Sequence, residues 1–150
     1  MFADLIGVPW LSDGRDPKKG LDCYGLVMEA SKRMGFYAPD CNDPAFNKYI
    51  WETSEELCKG FADKYGFNKK EGEMIDEVLF VPIHRPEPGC VVMFRILYPY
   101  SDHIGVVLDD CDQFIHAASR NKATCIERLS SIQWKHRISG FYKWTKKLQL

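Results

Sequence analysis

The sequence predicts an α+β domain, with helices first and an antiparallel sheet of about five to six strands after them. Three observations carry that prediction. One apolar stripe at helical period runs from Cys23 to Met34, short β-branched or aromatic segments follow between Val78 and Lys143, and Pro, Gly, Asp or Asn clusters separate those segments. Size and composition agree with a single domain over 1–150. Leu, Ile, Val and Phe make up 38 of the 150 residues, above the roughly one-fifth below which a chain tends to stay disordered.

Residues 1–22 are rich in turn formers (Gly7, Pro9, Asp13-Gly14, Asp16-Pro17, Gly20) and read as a short element followed by a loop. A helix over 23–34 has both ends marked. Cys23, Leu26, Val27, Ala30 and Met34 form its apolar face, Asp22 stands at the N-cap, Lys32 and Arg33 fill the last turn, and Gly35 is a left-handed stop. Tyr37 to Asn47 holds two prolines and reads as loop. Ser54 to Tyr65, with Leu57, Phe61 and Tyr65 at spacing four, reads as an amphipathic helix. Strands are expected at Val78–Pro82, Cys90–Ile96, His103–Leu108, Gln113–Ala117, Thr124–Leu129 and Ile138–Lys143.

Several function classes are excluded. A net charge of -1 offers no basic excess for nucleic acid, whose binding is driven by counterion release. The longest apolar runs, Cys90–Phe94 and Ile104–Leu108, are far below the ~18 residues of a spanning helix, so no membrane partner is expected. No basic residue precedes Arg15, and Asp4 and Pro9 interrupt the first apolar segment, so no signal peptide is expected. The cysteines at 23, 41, 58, 90, 111 and 125 include no C-x-x-C pair, which argues against a zinc ribbon. Scattered thiols favour a reducing compartment, with bridges left open.

Cys23 is the sharpest candidate for chemistry. It falls in the first turn of the best-marked helix, where unsatisfied N–H groups and the macrodipole favour an anion and lower a thiol pKa. Gly25 costs about 1 kcal/mol relative to alanine inside a helix, so something must approach closely there; a substrate would fit beside the thiol. Against this, Cys23 also lies on the apolar stripe, where a buried cysteine behaves as a small hydrophobe. Asp22 opposes thiolate formation unless it caps backbone N–H groups.

A thiol nucleophile needs a base, and the base an orienting partner. His84 and His136 sit in polar surroundings and read as solvated, while Trp51, Trp134 and Trp144 read as core or edge aromatics. His103 and His116 lie on consecutive strands joined by Asp109-Asp110-Cys111-Asp112. A two-residue loop at Asp109-Asp110 sets 103 opposite 116. One at Asp110-Cys111 sets 105 opposite 116, with His103 as the diagonal neighbour. Either leaves both imidazoles on one face, and a three-residue loop would separate them.

A helix-borne Cys followed by two His on consecutive strands resembles the NlpC-type cell-wall cysteine peptidases, papain-like hydrolases of bacteria and their phages. The matching segments are Gly7-Val8-Pro9-Trp10, Asp22-Cys23-Tyr24-Gly25-Leu26-Val27, Gly89-Cys90-Val91-Val92-Met93-Phe94, Asp102-His103-Ile104-Gly105-Val106-Val107-Leu108 and Phe114-Ile115-His116-Ala117. Ile126-Glu127-Arg128-Leu129 and Gly140-Phe141-Tyr142-Lys143-Trp144 resemble the phage tail and prophage branch. Residues of about 40–75 stand outside the resemblance and read as an insertion.

The resemblance implies a papain-like fold, with Cys23 as nucleophile, His103 as base and His116 orienting it. It implies hydrolysis of peptidoglycan stem-peptide bonds of the D-γ-glutamyl-diamino acid type through a thioester, with no metal and no cofactor. Trp10, Asp22 and Tyr24 fall where such a family binds substrate, beside Gly25, whose missing side chain leaves room for one; Trp10 and Tyr24 depart from the family's usual Tyr and Ser. Phage tail proteins are the implied partners, and a virion tail, or release by lysis after synthesis in the cytoplasm, the implied location. The competing readings are a non-catalytic tail assembly or attachment domain, and a related thiol amidase or acyltransferase.

Overall fold

Helix α1 spans Cys23–Arg33, close to the 23–34 expected. Asp22 caps it in extended conformation, its side chain accepting a hydrogen bond from the Gly25 N–H. Cys23, Leu26, Val27 and Ala30 are buried along one face. Gly35 ends the helix at φ +86, a conformation that a β-carbon would strain. The coordinates, a computed structural model, describe residues 1–40, 80–96, 102–145 and 147–148. The helix expected at Ser54–Tyr65, the insertion at 41–75 and Trp51 lie outside them, as do most of the loop from Tyr37 and the first two residues of the Val78 strand.

Before α1, two short strands, β1 (Arg15–Asp16) and β2 (Gly20–Leu21), pair as an antiparallel ribbon. Six further strands follow: β3 (Phe80–Ile83), β4 (Val91–Phe94), β5 (His103–Val107), β6 (Gln113–Ala118), β7 (Ala123–Arg128) and β8 (Ile138–Trp144). They form one sheet in the order β3-β8-β4-β5-β6-β7, with every neighbouring pair antiparallel. The expected α+β class and antiparallel sheet are both present.

Two apolar layers hold the sheet. On one face α1 packs on β5 and β6, and Leu26, Val27 and Ala30 meet Val91, Met93, Ile104, Val106, Ile115 and Ala117. On the other, Val92, Phe94, Val107, Phe114 and Leu129 surround Trp134. Burial on both faces explains why β4 and β5 read as unbroken apolar runs, whereas β7, at the sheet edge, alternates.

The β5–β6 hairpin sets the site's register. Leu108 donates its N–H to the Gln113 carbonyl at 2.8 Å, and Asp110 Oδ1 accepts from the Asp112 and Gln113 amides at 3.0 and 2.7 Å. Val106 pairs with Ile115 and Val107 with Phe114, so in this register Gly105 stands opposite His116 and His103 is the diagonal neighbour. This matches the second of the two alignments expected, although the loop that produces it has four residues, 109–112.

Candidate active site

Cys23 is the first residue of α1 and is buried. The Asp22 carboxylate beside it is held from three directions. Oδ1 accepts from the Gly25 N–H at 2.7 Å and from Arg15 Nη1 at 2.7 Å, and Oδ2 accepts from the Asp13 N–H at 3.1 Å. Arg15 also donates to Asp40 through Nε and Nη2, at 3.0 and 3.2 Å. The guanidinium therefore offsets the negative charge that would otherwise oppose a thiolate next to it.

His103 and His116 meet directly. His103 Nε2 lies 2.8 Å from His116 Nδ1, and His116 Nε2 lies 2.6 Å from Glu127 Oε2. A carboxylate only accepts, so the His116 proton sits on Nε2 and points at Glu127. His116 Nδ1 is then an acceptor, and the His103 proton must sit on Nε2. That leaves Nδ1 as the unprotonated nitrogen of His103, the one able to take a proton. Burial holds His116 below the ordinary histidine range, the Glu127 hydrogen bond opposing it. Burial pushes the Glu127 carboxyl up, but hydrogen bonds, including that from His116, outweigh it and leave it below its usual value.

Aromatic rings fix both imidazoles. Trp134 stacks on His103 with centroids 5.7 Å apart and meets His116 edge-on at 5.0 Å. Phe94 lies 5.7 Å from His103, its partner across β4–β5, and Phe114 4.6 Å from His116. Gly105 leaves room for this: a β-carbon there would come within 3.2 Å of the His116 Cβ.

Sequence reasoning gave no role to Glu127, Asn121 or Trp134. Asn121 Nδ2 donates to Glu127 Oε2 at 3.2 Å and to Cys125 Sγ at 3.1 Å. Period-two alternation puts Cys125 and Glu127 on one face of β7, but only the register, with His116 paired to Cys125, brings that face to the imidazole. Among the described residues, His116, Cys125 and Glu127 form a group able to hold a metal ion, their ligand atoms all within 4.8 Å of one another.

The four residues expected at a substrate pocket have these places. Tyr24 is buried and donates its hydroxyl to the Pro39 carbonyl at 2.6 Å. Trp10 is half-buried and packs against the α1-side core, and its backbone N–H donates to the Lys122 carbonyl at 2.9 Å. Asp22 is buried among the donors above. The close approach at Gly25 comes from the protein itself, since a β-carbon there would collide with the Gly14 carbonyl oxygen. His84 and His136 are exposed, and Trp134 and Trp144 are buried.

These features define an α+β domain, with a cysteine opening its helix and two linked histidines on its sheet. The chain belongs to the NlpC/P60 family, whose sequence profile matches residues 7–143. Members of that family are cysteine peptidases that act on peptidoglycan. An NLP/P60 protein similar to a lipoprotein from Staphylococcus aureus subsp. aureus Mu50 matches with a TM-score of 0.58 at 18% identity, over 96% of this chain and 39% of that one. An NlpC/P60 protein from Bacillus cereus ATCC 10987 matches with a TM-score of 0.55 at 15% identity, over 93% and 36%. The chain thus spans under two-fifths of the length of both. The NlpC/p60 domain of the peptidoglycan hydrolase SagA matches with a TM-score of 0.44 at 17% identity, over 94% and 90%. No curated protein matches the chain.

Proposed function

We propose that this domain hydrolyses peptidoglycan stem peptides at D-γ-glutamyl-diamino acid bonds, with Cys23 as nucleophile and His103 as base. His116 and Glu127 are positioning residues behind the base. The observation that carries this reading is the hydrogen-bonded chain His103–His116–Glu127, in a domain whose family profile also covers the helix-capped Cys23. In the proposed mechanism His103 Nδ1 takes the Cys23 proton, and the thiolate attacks the scissile carbonyl. The tetrahedral oxyanion collapses to a thioester as His103 returns the proton to the leaving amine. Water, deprotonated by His103, then releases the acid. The positive end of α1 favours the thiolate and the oxyanion. Glu127, through His116, supplies the charge that stabilises the imidazolium.

A purely structural tail domain would need no such buried polar chain, which favours turnover over the assembly reading. The setting we propose is a phage or prophage tail, with other tail proteins as partners; detection of the chain in purified virions by mass spectrometry would test it. For the activity, purified peptidoglycan is digested with the protein and with Cys23→Ala. New free amines from the diamino acid are expected with the first only. Equal release by both would overturn the assignment.

A further inference from the structure

We propose that His116, Cys125 and Glu127 form a binding site for a thiophilic divalent cation of the zinc class, and that filling it switches off the base on the other side of His116. The ligand atoms already lie close to the needed spacing. A tetrahedral zinc ion with bonds of roughly 2.0–2.3 Å requires its ligand atoms to lie roughly 3.3–3.6 Å apart. Cys125 Sγ lies 3.6 Å from His116 Nε2 and 4.0 Å from Glu127 Oε2. The Cys125–Glu127 separation must close slightly and the 2.6 Å contact between His116 and Glu127 must open, as it does when the proton between those atoms gives way to an ion. One imidazole, one thiol and one carboxylate suit zinc, and the sulfur disfavours magnesium or calcium, which take oxygen.

Placement supports the same reading. Cys125 and Glu127 stand two residues apart on the edge strand β7, and His116 pairs with Cys125 across the ladder, so backbone hydrogen bonds fix all three. Cys125 and Glu127 are half-buried, giving an ion a way in, whereas His116 is buried. Asn121 Nδ2 now bridges the sulfur and the carboxylate at 3.1 and 3.2 Å. It belongs to the short 3-10 turn Ser119–Asn121 rather than to the sheet, so it can withdraw while the ligands stay.

The consequence follows from proton positions. A metal on His116 Nε2 requires the ring's proton to sit on Nδ1, where it is donated to His103 Nε2. His103 must then carry its own proton on Nδ1, the nitrogen assigned to deprotonate Cys23. Each ring keeps one proton, and the Cys125 thiol releases one to solvent. The switch rests on the proposed role of His103; the binding does not.

The test titrates chelator-treated protein with zinc against a chromophoric chelator and records the spectrum of the cobalt(II) form. Wild type and Cys23→Ala should each bind one zinc ion, and their cobalt forms should show a thiolate charge-transfer band. Cys125→Ser, and Cys125→Ala as a second variant, should weaken zinc at least about tenfold, as loss of a ligand must, and abolish the band. Zinc at a free concentration that fills the wild-type site but not that of Cys125→Ser should stop stem-peptide hydrolysis by wild type and leave the rate of Cys125→Ser the same with and without the ion. Absence of stoichiometric zinc in wild type, undiminished binding by both Cys125 variants, or loss of binding in Cys23→Ala would overturn the site. Zinc bound as expected with hydrolysis unaffected would overturn the switch. Zinc bound by a protein that never hydrolyses stem peptide would support the site and count against the peptidase reading.

Discussion

Glu127 lies two hydrogen bonds from His103 and dictates which nitrogen of each imidazole carries a proton. Glu127→Gln keeps the size of the side chain but lets an amide N–H point at His116 Nε2, which reverses both tautomers. The variant should fold normally and lose about 10²- to 10⁴-fold in kcat with KM little changed, the pattern of a triad held in the wrong tautomer; steady-state kinetics on a stem peptide would check it. The sequence alone suggests that an orienting imidazole adds no charge and that His116→Ala is mild. With Glu127 behind it, the same substitution severs a charge from the proposed base and should cost more. Thiol reactivity separates the cysteines at this scale. Burial pushes the Cys90 thiol up to about 11, so at pH 7 its thiolate fraction is on the order of 10⁻⁴. Iodoacetamide should label Cys23 first near neutral pH and Cys90 only as the pH climbs toward that value, with peptide mapping as the readout. Cys23, His103 and His116 were legible as candidates because each sits beside a marked helix start or on a strand. Glu127 was not, because its role depends on a cross-strand register that no local pattern states.

The start of α1 is the element on which the proposed nucleophile depends. Asp22→Ala removes the cap and one of the two carboxylates that Arg15 meets among the described residues. With Arg15 partly exposed, the loss should be about 2–3 kcal/mol by denaturant unfolding. Asp22→Asn keeps an accepting oxygen and should lose less. Gly25→Ala tests the packing of the same turn. Helix propensity alone favours alanine by about 1 kcal/mol, but the β-carbon would strike the Gly14 carbonyl, so the variant should be less stable than wild type. The helix was readable because stripe, cap and stop agree. The β1–β2 ribbon was not, since its strands have two residues each, too few to show alternation. The close approach that Gly25 signalled was also real, yet it is made by backbone rather than by a ligand.

At the scale of the molecule, local composition places the strands to within a residue or two wherever both ends lie in described residues, whereas their order is not legible. β8 lies between β3 and β4, a pairing between segments far apart in the chain that no local pattern states. Trp134 passed as an ordinary core aromatic because nothing local ties it to His103 and His116. On the proposed reading, residues of α1, β5, β6 and β7 act in one thiol chemistry, whose central claim is that Cys23 becomes acylated. Mixing the protein with a stem-peptide fragment, quenching in acid within one turnover and mapping the mass increment tests this directly. The account predicts an acyl thioester on Cys23 that decays with time and is missing in His103→Ala. Free amine released with no acyl group on Cys23, or with the group on another cysteine, would contradict it.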